Sequence, residues 1–345
     1  MPSSKLVELV SRYRDLGIDN QIDYQKFYLY SIITHSTAIE GSTVTEIENQ
    51  LLFDKGITAK GRTLEEQMMN LDLKKAYERS IELSKSHNPV TIDMLKELSS
   101  LVMKNTGSSY QTALGSFSTA NGDLRLLNVT AGIGGRSYMS FTKVPARLES
   151  FCSQLNDARQ SLNISNLDDI YDLSFEAHYG LVTIHPWADG NGRMARLLMN
   201  HLQFEYGVIP SKVLKEDKEG YIKSLVQSQE SGNSIFFKKF MRENLCKNLQ
   251  KEIDAFLHST EMGGENPEMG GENPKMGGEN STRGEKTRDI ILRQIRNNSN
   301  ITMSELAPAV GISSKAVEKQ IARMKKDGIL VRIGPDKGGH WEIVD

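Results

Sequence analysis

A repeated, glycine-rich segment divides this chain into two parts. Residues 261–286, which begin EMGGENPEMGGENPKMGGEN, contain three copies of a seven-residue unit in which methionine is the only apolar residue type. Such a composition cannot bury enough apolar surface to offset the entropy lost on folding. Paired glycines and recurrent prolines exclude a coiled coil, although the repeat has the length of a heptad. The sequence therefore predicts a linker, with a larger folded part before it and a smaller one after it.

The composition narrows the setting in which the chain works. Its 345 residues carry a formal net charge of −2, which gives no general attraction to nucleic acid or to a membrane surface. No apolar run reaches the roughly 20 residues that cross a bilayer, and the first residues lack the apolar core of a signal peptide. Cys152 and Cys246 lie in apolar, helix-like surroundings, which is typical of free thiols in a reducing compartment. We therefore expect a cytoplasmic protein that does not bind membranes.

The part before the linker is dominated by helical periodicity, with one clear exception. Residues 128–142, NVTAGIGGRSYMSFT, place β-forming residues on both sides of GIGG, which is typical of a hairpin. Because a lone hairpin is marginally stable in water, it must pack on the helices, and its edge remains free to pair. We expect a mainly α fold that carries one β-hairpin.

One segment, TIHPWADGNGRMARLLMN (residues 183–200), concentrates an unusual set of polar groups. The preceding helix should end near His185, because the proline after it disfavours the helical conformation there, and the next helix should begin at about Asn191. Glycines at a helix N-terminus leave backbone N–H groups open to an anion. Arg193 and Arg196, three residues apart on one helical face, add fixed positive charge. The residues therefore predict a polyphosphate site.

Two further side chains bring chemistry to this site. Asp189 is a candidate ligand for Mg²⁺, which binds through carboxylates and phosphate oxygens. His185 is a candidate general base, since the pKa of an imidazole suits proton abstraction near neutrality. A capping loop with surface arginines is the structural alternative. A metal-hydrolase triad of His178, His185 and Asp189 is another, although seven residues between the two histidines do not favour chelation.

The sequence HPWADGNGRMAR, residues 185–196, resembles the signature motif of the Fic family, with tryptophan where the usual form has phenylalanine. The resemblance implies a helical core that transfers AMP from ATP to a hydroxyl group of a target protein and releases pyrophosphate. It implies that His185 deprotonates the target serine, threonine or tyrosine and that Asp189 holds Mg²⁺. The phosphates of ATP would be bound by Gly190, Asn191, Gly192, Arg193 and Arg196.

The same resemblance gives the predicted hairpin a role. Residues 128–142 correspond to the family's flap, which pairs with the main chain of the target by strand addition and presents the acceptor side chain to His185. A purely structural hairpin is the alternative. Self-modification is left open as well.

An acidic residue near the N-terminus has an unfavourable position. In SIITHSTAIEGSTVTE, residues 31–46, Glu40 ends an apolar helical pattern, so its carboxylate faces the negative end of the helix dipole. The arrangement Ser36-x-x-x-Glu40-Gly41 resembles the inhibitory motif that precedes the catalytic core in one class of Fic proteins. It implies that Glu40 pairs with Arg196 and occupies the seat of the ATP γ-phosphate. The same carboxylate can activate water, which leaves removal of AMP open as a second activity.

The adenine side of the site is less well marked. EGYIKSLVQSQESGNSIFFKKF resembles the family's helix beyond the motif, and this makes Tyr221 and Gln229 candidates for stacking on the base and contacting its edge. Core packing of Tyr221 and solvation of Gln229 are the alternatives.

The part after the linker, residues 287–345, predicts three helices followed by a hairpin. Its third helix exposes three cations at four-residue spacing, Lys315, Lys319 and Arg323. The pattern resembles the winged helix-turn-helix, whose third helix reads a DNA groove. Because basic residues exceed acidic ones only mildly in this part, both DNA binding and docking of a protein remain open.

These features divide the chain into an N-terminal helical region with the inhibitory motif (1–95), a Fic catalytic core (96–260), a linker (261–286) and a winged-helix domain (287–345). We expect a protein adenylyltransferase that uses ATP and Mg²⁺ and is autoinhibited by Glu40. The alternatives are a DNA-binding regulator that uses its Fic part as a nucleotide sensor, and a hydrolase that removes AMP. The target protein and homo-oligomerisation stay open.

Overall fold

The computed structural model describes residues 4–131, 135, 137–261, 287–299, 301, 305–306, 314–326, 329–333 and 340–343. The chain divides into two compact units, Met1–Gly270 and Gly271–Asp345. Most of the predicted linker lies outside the described residues, so it stays a prediction.

The first unit is built of α-helices, as the sequence predicts. Within the described residues, no helix is long and apolar enough to cross a bilayer. The helices are α1 (Lys5–Asp15), α2 (Tyr24–Ile39), α3 (Glu46–Lys55), α4 (Leu64–Ser84), α5 (Ile92–Val102), α6 (Val144–Gln160), α7 (Leu167–Ile184), α8 (Asn191–Glu205), α9 (Lys218–Ser231) and α10 (Ile235–Glu261).

Three helix ends surround the segment that the sequence singles out. α2 ends at Ile39, with Glu40 as its C-cap. α7 ends at Ile184, and its C-cap His185 has a left-handed backbone with φ of 53°. α8 begins after Gly190, whose φ of 82° is a conformation that favours glycine. The helix bounds predicted around residues 183–200 are therefore confirmed.

α8 is the central helix of the unit. It packs against α7 on one side and α4 on the other. Its side chains are buried around nearly its whole circumference, and several polar ones are hydrogen-bonded; for example, Tyr77 donates a hydrogen bond of 2.7 Å to the Asn200 amide oxygen. One apolar core, which extends from Leu6 to Ile253, runs through both predicted parts of this unit, residues 1–95 and 96–260. The site on α8 therefore sits on a rigid support.

The β-structure of this unit differs from the prediction. A short antiparallel hairpin joins β1 (Ser109–Thr112) to β2 (Gly115–Ser118), which sequence reasoning did not anticipate. In the predicted hairpin, residues 128–142, the described residues form a single antiparallel bridge between Thr130 and Ser137. Residues 132–134 and 136 of that segment lie outside the described residues.

The second unit contains α11 (Thr287–Asn297), α12 (Ser314–Lys326) and the antiparallel strands β3 (Leu330–Ile333) and β4 (His340–Ile343). The stretch predicted as its middle helix lies mostly outside the described residues. The core of this unit is formed by Ile291, Leu292, Ile295, Ile301, Leu306, Val317, Ile321, Met324, Leu330 and Trp341.

Candidate active site

The loop between α7 and α8 forms a cradle of backbone groups. The first turn of α8 leaves N–H groups without partners inside the helix, as every helix N-terminus does. Gly190 lets the loop pack closely against the Met103 side chain, since a Cβ on it would lie 2.7 Å from the Met103 sulfur. The Asp189 carboxylate caps the loop by accepting a hydrogen bond of 2.6 Å from the Gly190 amide. This arrangement suits an anion.

Asn191 holds this loop in shape. Its amide oxygen accepts from the Trp187 N–H at 3.1 Å, and its amide nitrogen donates to the Trp187 carbonyl at 2.9 Å. The Trp187 indole is fully buried and donates to the Gly122 carbonyl at 3.1 Å. The Asn191 side chain is thus hydrogen-bonded to the Trp187 backbone, and the contact of Asn191 with phosphate stays a prediction. The Asn191 backbone N–H remains at the helix N-terminus.

Arg193 is a buried cation with spare hydrogen-bonding capacity. It is 3% exposed, and its guanidinium contacts the Met103 sulfur at 3.0 Å and the Asp189 carboxylate at 4.0 Å. Among the described residues its Nε has no hydrogen-bond partner. Burial of an unpaired donor on a cation is unfavourable unless an anion joins it. Arg193 is therefore suited to a phosphate oxygen.

Arg196, by contrast, is fully engaged by α2. Its Nη2 donates to the Glu40 carboxylate at 2.6 Å and to the Ser36 carbonyl at 3.0 Å, and its Nε donates to the Ser36 hydroxyl at 2.8 Å. Burial opposes ionisation of Glu40, but the neighbouring Arg196 outweighs it, and the pKa of Glu40 is lowered. The two side chains form a charged pair within the candidate site.

Gly192 lies directly under this pair. A Cβ added to Gly192 would lie 2.7 Å from the Glu40 Oε1 and 3.2 Å from the Arg196 Nη1. Any larger side chain at this position would therefore make the Glu40 carboxylate shift from its place beside Arg196.

His185 is positioned as a neutral base. Its Nδ1 lies 3.4 Å from the Val182 carbonyl, which puts the ring proton on that nitrogen and leaves Nε2 as the acceptor. Burial, with a smaller contribution from the cation of Arg125, lowers the pKa of His185 to about 4. The Tyr138 ring stacks on the imidazole with 3.7 Å between the ring centroids. The imidazole is therefore unprotonated at neutral pH and covered by the predicted flap.

The structure corrects the expected role of Tyr221. This side chain is only 2% exposed, so a nucleotide base cannot stack on its ring. Its hydroxyl contacts the buried His178 at 2.8 Å and accepts from Arg196 at 3.4 Å. Tyr221 thus packs behind Arg196, which agrees with the core-packing alternative.

An apolar face of α9 was overlooked in the sequence. Ile222 and Val226, one helical turn apart, are 44% and 45% exposed, and Gln229 is half-buried one turn further along. Positions separated by four and three residues lie on one face of a helix. In the sequence, this face is indicated by the spacing of four residues between Ile222 and Val226.

The described residues offer few candidate ligands for Mg²⁺. Among the described residues, no group of three or more histidine, cysteine, aspartate or glutamate side chains is arranged to hold a metal ion. Asp189 is a single, largely exposed carboxylate beside the anion cradle. Because Mg²⁺ typically binds through one or two protein carboxylates and substrate phosphates, Asp189 fits this ion in the presence of a nucleotide.

Comparison with known proteins identifies this part of the chain. Residues 89–203 match the model of the Fic/DOC family, and this range contains the anion cradle, His185 and both arginines. The chain contains a Fic domain. Residues 286–331 match a winged helix-turn-helix DNA-binding model.

Relatives of the Fic domain carry adenylyltransferase names. The chain is 27% identical over 250 residues to protein adenylyltransferase fic-1 of Caenorhabditis briggsae, covering 70% of this chain and 45% of the relative. It is 29% identical over 234 residues to protein adenylyltransferase Fic of Nematostella vectensis, covering 66% and 48%. The chain thus spans less than half the length of these curated relatives.

Solved structures share the fold. A Fic domain containing signaling protein from Bacteroides thetaiotaomicron superposes with a TM-score of 0.61 at 22% identity, over 74% of this chain and 97% of that one. Fic-1 from Caenorhabditis elegans gives 0.58 at 23% identity, over 74% and 72%. A Fic family protein from Desulfovibrio desulfuricans gives 0.54 at 17% identity, over 100% and 97%.

Lys315, Lys319 and Arg323 all belong to α12 in the winged-helix match. Lys319 and Arg323 are one and two helical turns beyond Lys315, so the backbone places them along one side of the helix. The contacts and exposure of their side chains lie outside what the structure describes.

Proposed function

We propose that this protein is a protein adenylyltransferase that transfers AMP from ATP to a hydroxyl group of a target protein and is held inactive by Glu40. The observation that carries the proposal is the meeting of a neutral base, His185, with an anion cradle and two buried arginines at the start of α8. The names of the Fic relatives support it. Two free cysteines, Cys152 and Cys246, suit the cytoplasm as its location.

His185 performs the proton transfer in this proposal. The target hydroxyl gives its proton to His185 Nε2, while its oxygen attacks the α-phosphorus of ATP. The bond from the α-phosphorus to the bridging oxygen breaks, and pyrophosphate leaves. Since the pKa of His185 lies near 4, the neutral form needed for this step predominates at physiological pH.

The phosphates of ATP are held by the cradle and the arginines. Backbone N–H groups at the start of α8 and the guanidinium of Arg193 bind phosphate oxygens. Asp189 would hold Mg²⁺, which supplies charge neutralisation of the phosphates when it is bound. The exposed face formed by Ile222 and Val226 suits the adenine ring, with Gln229 at its edge.

Glu40 provides the inhibition. Arg196 is the cation that would contact the γ-phosphate, and the Glu40 carboxylate holds it at 2.6 Å. A polyphosphate would meet both an occupied arginine and a repelling negative charge. Removal of AMP by water that Glu40 activates is a secondary activity of the same site.

Replacing His185 tests the proposal. In the Glu40→Gly background, which removes the inhibition, His185→Ala should bind ATP within about twofold of its parent, since the cradle is untouched, yet transfer of labelled AMP should fall by about 100-fold or more, the usual contribution of a general base. His87→Ala is the matched control, because His87 is exposed and its ring contacts Glu205. Undiminished labelling by His185→Ala would reject the role of this residue.

The winged-helix match motivates a second function, DNA binding through α12. Lys315→Ala combined with Lys319→Ala should weaken binding to duplex DNA and reduce the slope of log affinity against log salt by up to about 2. As a control, Lys55→Ala combined with Lys239→Ala removes the same charge from the first unit. This double variant should leave the DNA affinity and its salt dependence unchanged. Undetectable DNA binding by the intact protein at low salt would favour docking of a protein instead.

A further inference from the structure

Arg125 is a buried cation that the sequence pattern did not single out. It is 1% exposed and lies just before the predicted flap. Its Nε donates to the His185 carbonyl at 2.8 Å, its Nη1 to the Leu127 carbonyl at 2.9 Å, and its Nη2 to the Met139 carbonyl at 2.6 Å. One guanidinium therefore joins the end of α7 to Leu127, the residue before the flap, and to Met139 on the returning arm of the flap.

The backbone adds to this connection. The Arg125 amide donates to the Pro186 carbonyl at 3.0 Å, so the chain leading into the flap is bonded to the residue after His185. On the returning arm, the Tyr138 amide donates to the Val129 carbonyl at 3.1 Å, and the Tyr138 ring lies on the His185 imidazole. The flap and the base thus form one bonded assembly.

The partners of Arg125 are unusual for a buried charge. Among the described residues, its guanidinium donates to carbonyl oxygens and to no carboxylate. A buried cation without a counter-ion is unfavourable, and apolar residues of similar volume often replace buried charges without loss of stability. Burial lowers the pKa of Arg125 accordingly. The planar guanidinium presents several N–H donors in a fixed geometry, so it can donate to three carbonyls at once. This explains why arginine occupies this position.

We propose that Arg125 is a positioning residue that holds the flap in register with His185, so that the acceptor hydroxyl of a target paired with the flap reaches Nε2. This role rests on the proposed transfer of AMP. Arg125 does not touch the reacting groups in the structure; it acts through the carbonyls of His185, Leu127 and Met139.

The test compares Arg125→Met with Arg159→Met in the full chain. Arg159 is a matched control, because its side chain is also little exposed, at 8%, but it bonds to Asn156 and Glu205. Two readouts do not depend on activity: hydrogen exchange of the Tyr138 amide, and the NMR signals of the His185 ring, assigned by their loss in His185→Ala. The same substitutions in the Glu40→Gly background report AMP transfer and ATP affinity.

With Arg125→Met, we expect the Tyr138 amide to exchange at least about tenfold faster, as loss of charge-assisted hydrogen bonds predicts. The His185 signals should shift, and transfer should fall at least about tenfold with ATP affinity within about twofold. Arg159→Met should leave the flap exchange and the His185 signals unchanged. Arg125→Lys keeps the charge but lacks the planar set of N–H donors, so it should change the exchange rate, the His185 signals and the transfer in the same direction but by less. It is used in place of Arg125→Met if that variant does not fold.

Two results would overturn the proposal. One is a folded Arg125 variant with the flap exchange and His185 signals of the parent. The other is an Arg159→Met variant that changes them equally. If no variant, Glu40→Gly included, transfers AMP, the proposed activity fails, while the exchange and ring signals still decide the role of Arg125.

Discussion

The Glu40 carboxylate and the Arg196 guanidinium meet at 2.6 Å, although the two residues are 156 positions apart in the sequence. The contact joins the C-terminal end of α2 to the middle of the motif helix α8. Ser36, one turn before Glu40, binds the same guanidinium through both its hydroxyl and its carbonyl. The end of α2 therefore binds the cation that would contact a nucleoside triphosphate in the proposed site.

Gly192→Ala should reveal how tightly Glu40 is seated. The added Cβ would meet the Glu40 Oε1 at 2.7 Å, so the carboxylate must shift from Arg196, and weakening this charged contact should destabilise the protein by about 1–3 kcal/mol. In the Glu40→Gly background the obstructing carboxylate is gone, and alanine is the better helix former. We expect a coupling of at least about 1 kcal/mol between the two positions, measured as free energies of unfolding in urea. Additive effects of the two substitutions would show that Glu40 is not seated over Gly192.

Arg196→Ala should separate ATP from AMP. In the Glu40→Gly background, where the arginine is free, its loss should weaken ATP binding by about 1.5–3 kcal/mol, or roughly tenfold to a hundredfold. AMP lacks the γ-phosphate, so its affinity should change by less than about threefold. Titration calorimetry with both nucleotides measures the difference. Equal losses for ATP and AMP would argue against a γ-phosphate contact.

Acid should destabilise the first unit through its buried histidines. Burial lowers the pKa of His201 to about 4, below the ordinary value of 6.5, and lowers the pKa of His178 as well. The unfolded chain therefore binds more protons than the folded one in this window. Stability should be fully present above about pH 6.5 and decline toward about pH 4, by up to about 1.4 kcal/mol per pH unit for each histidine.

His201→Gln provides the control for this pH dependence. Glutamine cannot take up the proton, so the variant should lose less stability between about pH 6.5 and about pH 4.5 than the parent. Urea unfolding at a series of pH values measures both slopes. Parallel curves for the two proteins would mean that His201 is not buried in its neutral form.

Local chain signals predicted much of the site. Proline after His185 and glycine before Asn191 dictate where α7 ends and α8 begins, and the structure has these bounds. The proximity of Glu40 and Arg196 is a tertiary contact between distant segments, so it came only from a family resemblance. Arg125 carries no local signal, because its partners are backbone carbonyls that any sequence offers.

The remaining differences also have physical causes. The sequence left Tyr221 open between stacking on the base and core packing, and the helix α9 turns Ile222 and Val226 outward and Tyr221 into the core. The Asn191 side chain satisfies backbone groups of the adjacent loop, a contact that the sequence pattern does not indicate. In both cases the environment of the side chain is set by tertiary contacts, which a single sequence does not show.

The central claim, that Glu40 blocks an AMP-transferring site, is tested most directly by labelling with α-labelled ATP and Mg²⁺ in a cell lysate. Glu40→Gly should raise labelling of the protein itself or of a target by roughly tenfold to a hundredfold over the parent, as a freed charged contact of about 1.5–3 kcal/mol predicts. Glu40→Asp should lie between the two, and Glu40→Gly combined with His185→Ala should be silent. A folded Glu40→Gly protein that labels no better than the parent would contradict the account.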